Sequence, residues 1–147
     1  SMQIVILAGK GKFKTSDIAK SFYANYLKRS EECFHAARHS FQGAEWNACA
    51  INAIHCCIAS CDAMCVYFLG KRHSGEDHNQ AANLFKSIRN DEEININANR
   101  IMRILRTKNM AEYEERLVYR KEAESILKDC ERVLEYVKNQ LKTSGQP

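Results

Sequence analysis

The sequence predicts an all-α fold, an antiparallel up-and-down bundle of four to five helices, and three observations carry that prediction. A chain of 147 residues fits one domain and is long enough to bury a core. Helix breakers are scarce, with six glycines and a single proline, Pro147. Apolar residues recur in steps of three, four and seven over most of the length.

Residues 1–14 are expected to form an N-terminal arm. Its "QIVIL" stays open between an edge strand, an arm and unstructured chain. "ILAGKGKFKT" invites a phosphate-loop reading, but its glycines are two apart, too close for G-x-x-x-x-G-K-[ST], so a flexible basic arm is the better description. A helical-bundle domain is expected over 15–142, followed by a disordered tail over 143–147.

The first helix shows Ile18, Phe22, Tyr26, Cys33, Phe34, Ala37 and Phe41 on one side. Thr15 or Ser16 is placed to cap its start, and Gly43 to supply a left-handed stop. The second, "AEWNACAINAIHCCIASCDAMCVYFLG", is apolar almost all round and ends at Gly70. Asn52, His55 and Asp62 in its middle argue against a membrane span, because each unpaired polar group there costs roughly several kcal/mol. It is therefore read as the central helix of the bundle, with no membrane partner. A third helix over about 75–89 presents Ala81, Ala82, Leu84, Phe85 and Ile88, and a fourth over Asp91–Arg106 presents Ile94, Ala98, Ile101, Met102 and Leu105. After a link around Tyr113–Tyr119, the last helix keeps a seven-residue rhythm through Ala123, Cys130, Val137 and their neighbours.

Seven cysteines, four of which (Cys56, Cys57, Cys61 and Cys65) crowd into one apolar helical run, are read as reduced thiols of a cytoplasmic protein. The start places apolar residues ahead of lysines, the wrong order for a secretory signal. Cys57, Cys61 and Cys65 share a helix face, yet zinc wants four converging ligands, so these are read as small packing residues. No metal or cofactor is expected. Glu45, Asn52, His55 and Asp62 also share a stripe, which is either a pocket or interface strip or a partly wet helix face.

The net charge of +4 permits an anionic partner without demanding one. "GKRHSGEDHNQ" sets Arg72 ahead of His78, a pairing that could hold a scissile phosphate and supply an acid or base. The spacing is loose, and Arg29 to His35 matches it as well. Ser74-Gly75-Glu76-Asp77 fits a capping box for the third helix, which explains the stretch without chemistry. "NRIMRILRTKNM" is a stronger signal: Arg100, Arg103, Arg106 and Lys108 with no acid among them, the kind of cluster that follows phosphates.

From residue 20 to about 140 the order of features resembles the HEPN domain family (higher eukaryotes and prokaryotes nucleotide-binding). The resemblance rests on "KSFYANYLKRSEECFHAA", on the alanine-rich second helix, on the histidine of "GEDHNQAANLF", and above all on "ILRTKNMAEYEERLVYRKEAESILKDCERVLEYV". It implies a helical bundle, often dimeric, that either cleaves RNA without metal through an Arg-x(4–6)-His motif, binds nucleotides, or accompanies a nucleotidyltransferase in a toxin–antitoxin pair. At the place of that motif this chain reads Arg106-Thr-Lys-Asn-Met-Ala-Glu-Tyr113. A phenol, with an ordinary pKa near 10, is a poor base at neutral pH. The expectation is thus a homodimer that binds nucleotide or RNA phosphates without catalysis of its own, Arg106 gripping a phosphate, Arg100, Arg103 and Lys108 adding field, and Tyr113 stacking. The alternatives are a metal-independent endoribonuclease using Arg72 and His78, and an interaction module whose nucleotidyltransferase partner supplies the chemistry.

Overall fold

The computed structural model describes residues 3–8 and 11–143, with side chains from Lys14 onward except at position 112. In chain order it contains β1 (Gln3–Ala8), β2 (Gly11–Asp17), a 3-10 turn (Lys20–Phe22), α1 (Tyr23–Gln42), α2 (Trp46–Leu69), β3 (Lys71–His73), α3 (Asn79–Lys86), α4 (Glu92–Arg106), α5 (Lys108–Tyr113) and α6 (Arg120–Thr143). The fold is the expected helical bundle, with a small sheet fastened to one end.

The bundle is organised around α2. One helix of the described residues is long and apolar enough to cross a membrane, and it is this one, but 78% of its apolar window is buried inside the protein. Small side chains make that possible: Cys49, Ala50, Ala53, Cys57 and Ala63 are all fully buried, letting α1 and α6 lie close against it. The bulk of the remaining core comes from Phe85 on α3, Ile94, Ile101 and Ile104 on α4, and Val133, Val137 and Leu141 on α6. Cys57, Cys61 and Cys65 are core residues, and burial pushes the Cys57 thiol well up, which keeps it protonated.

Helix boundaries follow local chemistry, and several differ from expectation. Gly70 stops α2 in the left-handed conformation, φ 68°, donating its N–H to Val66. The turn between α1 and α2 is different. There Gly43 has φ −87° and Ala44 takes the left-handed position at φ 59°, so the expected stop is displaced by one residue. Asp91 caps α4 by accepting from Ile94 N–H at 2.9 Å. Asp91→Ala is expected to cost about 1 kcal/mol of stability, read as a lowered urea midpoint.

The start of the chain is where the sequence reading needs correction. Thr15 and Ser16 do not cap α1. They lie in β2, which runs through the expected 14/15 boundary and pairs antiparallel with β1 (Ile4 opposite Thr15) and with β3 (Thr15 opposite His73). "QIVIL" is thus part of an edge strand in the order β1-β2-β3, and the stretch read as a flexible basic arm supplies a hairpin. Ile18 N–H donates to Gly70 at 2.9 Å and Ser74 N–H to Lys14 at 3.1 Å, tying the sheet to the end of α2. Because Ser74 is engaged there, the expected capping box does not form. α3 begins later, with Asp77 Oδ1 accepting from Asn79 N–H at 3.0 Å and His78 at the cap position without a side-chain cap bond. The expected tail lies outside the described residues from 144 onward.

A candidate anion cleft between α4 and α6

α4 and α6 pack antiparallel, residues 103–107 lying beside 121–132 and residues 93–100 beside 132–140. Both helices are strongly amphipathic. Each buries one stripe in the core and leaves its polar flank along their shared seam. On α4 the flank carries Arg103 and Arg106, followed by the capping Thr107. On α6 the intervals 121, 125, 128 and 132 bring Lys121, Ser125, Lys128 and Arg132 onto one side. Together they line a cleft of about 660 Å³ floored by Ile104 and Ile126, a size that suits a small organic ligand.

Five cations and two carboxylates line this cleft, and both carboxylates are already occupied. Asp129 accepts two hydrogen bonds from Arg103, from Nε and from an Nη, each at 3.0 Å. That fork holds the Arg103 guanidinium more firmly protonated than usual. Glu122 is paired with Arg116 at 2.6 Å and accepts from Tyr119 N–H at 2.8 Å, which settles the first turn of α6 and holds its carboxyl below the usual range. The other four cations, Arg106, Lys121, Lys128 and Arg132, are exposed and make no ion pair among the described residues. Four exposed cations without an ion pair among the described residues, around an apolar floor, give this cleft a net positive lining that favours an anion.

The expected ligand residues do not all share this cleft. Arg103 and Arg106 line it, but Arg103 is neutralised by Asp129. Lys108 and Tyr113 line a second pocket of about 350 Å³, with His78, Asp77, Asn79 and Asn109. There the Lys108 ammonium sits 5.4 Å from the Tyr113 ring centre, and Tyr113 is 72% exposed. The structure therefore does not bring Arg106 and Tyr113 into one cavity. Arg100 donates to Asn97 Oδ1 at 3.0 Å and lines a third pocket of about 350 Å³, which shares Arg132 with the main cleft. Sequence reasoning missed Lys121, Ser125, Lys128 and Arg132, whose signal was their helical spacing.

Arg72 and His78 are also separated in role. Arg72 Nε donates to the buried Asp62 at 3.2 Å, and its guanidinium lies 5.7 Å from the Tyr26 ring centre. His78 faces the second pocket and lies 6.1 Å from the ring of His73, which is buried and whose pKa burial lowers. The stripe Glu45, Asn52, His55 and Asp62 proves to be no single surface: Glu45 and His55 are exposed, Asn52 bonds Ala48 within its own helix, and Asp62 is buried.

A family model described as HEPN domain matches residues 23–140. No curated protein matches the chain.

Proposed function

This chain belongs to the HEPN domain family, and from that premise we propose that it binds the phosphates of a nucleotide or RNA in the α4–α6 cleft, without catalysis of its own. The observation that carries this reading is the set of four exposed cations that make no ion pair among the described residues, over an apolar floor, in a cleft whose two acids among those residues are already paired. Phosphate oxygens would meet Arg106, Lys121, Lys128 and Arg132, while the Ile104 and Ile126 surface would take a sugar or base. The cleavage alternative is less favoured, because Arg72 Nε is held by the buried Asp62 at 3.2 Å. A homodimer belongs to this proposal on family grounds alone, and a nucleotidyltransferase partner belongs to the alternative reading as an interaction module.

The test is titration of nucleotides and short RNA into two opposed variants. Arg106→Ala is expected to weaken binding about tenfold, one charge-assisted phosphate contact being worth roughly 1.5–3 kcal/mol before water substitutes for part of it. Asp129→Asn releases Arg103 into the cleft and is expected to tighten binding several-fold. If neither variant changes affinity, the ligand sits elsewhere and the proposal fails.

A further inference from the structure

The small sheet has two edges, and they are built differently. β3 closes one edge with three residues, Lys71, Arg72 and His73, short and cationic. Those are features by which a sheet edge is kept from pairing with another chain. β1 forms the other edge and has neither. It runs for six residues, Gln-Ile-Val-Ile-Leu-Ala, with no charge and no proline, and it matches β2 one for one without a bulge. Uncharged, proline-free segments of this length and β-propensity are the ones that add strands most readily.

The pairing register shows that this edge also lacks support. β3 reaches only Thr15, Ser16 and Asp17 of β2, and Thr15 and Ser16 lie opposite Ile4 and Gln3. From Val5 to Ala8 the sheet is two strands wide among the described residues. A two-stranded ribbon is marginal in water by itself, and a third strand is what makes it stable. In an antiparallel ladder alternate residues turn their N–H and C=O away from the partner. Every second residue of β1 therefore presents a donor and an acceptor on the side where, among the described residues, no strand of this chain lies.

We infer that β1 pairs antiparallel with β1 of a second copy of this chain, joining the two sheets into one. Charge selects that occupant. An uncharged strand sets no sign for a foreign strand to complement, and it is complementary to its own copy about a two-fold axis at Val5 or Ile6. The lysines that could oppose self-pairing, Lys12 and Lys14, belong to β2. β2 and its copy would lie three strand spacings apart, about 14 Å. That exceeds the Debye length of about 8 Å at physiological salt, so their repulsion is largely screened. β1 lies outside residues 23–140, the part matched to the HEPN family, and the inference is independent of the phosphate cleft.

Sedimentation velocity of the full chain and of two charged variants tests it. The mass of the wild-type protein is expected to rise with concentration over about 1–100 µM, the behaviour of a small interface. Val5→Lys with Ile6→Lys, and Val5→Glu with Ile6→Glu, each set like charges opposite one another at the axis. Each double variant is expected to weaken the association about tenfold, with the helical circular dichroism unchanged. Mixing the two variants sets lysine opposite glutamate and should restore association, a recovery that damage to the hairpin cannot produce. Variants that associate as the wild type does would place the contact on the helices and overturn the inference. A mixture no better than its components would overturn it equally. A wild type that keeps the mass of a single chain throughout would overturn the second copy as occupant and leave the edge to a strand of another protein.

Discussion

Lys128→Glu combined with Arg132→Glu is expected to weaken nucleotide or RNA binding by roughly two orders of magnitude, about 1.4 kcal/mol for each tenfold step. The two substitutions turn the lining of the cleft from net positive to net negative. They replace two attractive contacts by two repulsions at the middle of the α6 row, where any phosphate bound along the seam has to pass. Both side chains are exposed and neither holds an ion pair among the described residues, so folding should change by no more than about 0.5 kcal/mol. An unchanged thermal midpoint with lost binding is the expected pair of results. Retained affinity in a folded double variant would remove α6 from the binding surface altogether.

Asp62→Asn is expected to stabilise the protein at pH 8, although it deletes one partner of a salt bridge. Burial pushes the Asp62 carboxyl up from 3.8 to about 6, a larger effect than the opposing attraction and hydrogen bond of Arg72 and the field of Arg29. The folded state therefore prefers the neutral acid. With the folded pKa above the unfolded one, the folded protein holds the extra proton between those values. The stability this confers is complete below the unfolded pKa and is lost as pH rises through about 6. Two pKa units correspond to a loss on the order of 3 kcal/mol by pH 8. Asparagine avoids that loss and still offers an oxygen to Arg72 Nε, while the Arg72 side chain, 35% exposed, keeps water for its charge. Urea midpoints of both proteins from pH 4 to 8 should show a gap that opens in favour of the variant across pH 4–6. His73, whose lowered pKa acts over a neighbouring range, is common to both proteins and cancels in the difference. A wild type more stable than Asp62→Asn at pH 8 would mean that the pair outweighs its desolvation.

The helices were legible because their causes are local. Asp91 ahead of an apolar period and Gly70 after an apolar run are chemical statements that need no tertiary context, and the structure keeps both. The sheet was not legible because its cause is distant. Thr15 reads as a cap until His73, far along the chain, pairs with it, and a three-residue strand of Lys, Arg and His carries no apolar alternation. The same distinction divides the site. Arg103 and Arg106 stood out as an acid-free run, whereas Lys121, Lys128 and Arg132 are interleaved with Glu124 and Glu131, which do not line the cleft. Only folding the segment onto a helix takes Glu124 and Glu131 off the cleft and leaves there just Glu122 and Asp129, both paired. That Arg103 is spent on Asp129 is a fact of packing between two helices and has no sequence signature.

Of the seven thiols, six are shut inside the helices and Cys33 alone is partly open. An alkylating reagent therefore has one partly open target in the native protein, slowed because burial raises the Cys33 pKa, and the other six react only when the bundle opens. Mass spectrometry of a timed maleimide reaction would count those later adducts as they appear, so the unmodified chain serves as its own stopwatch for opening.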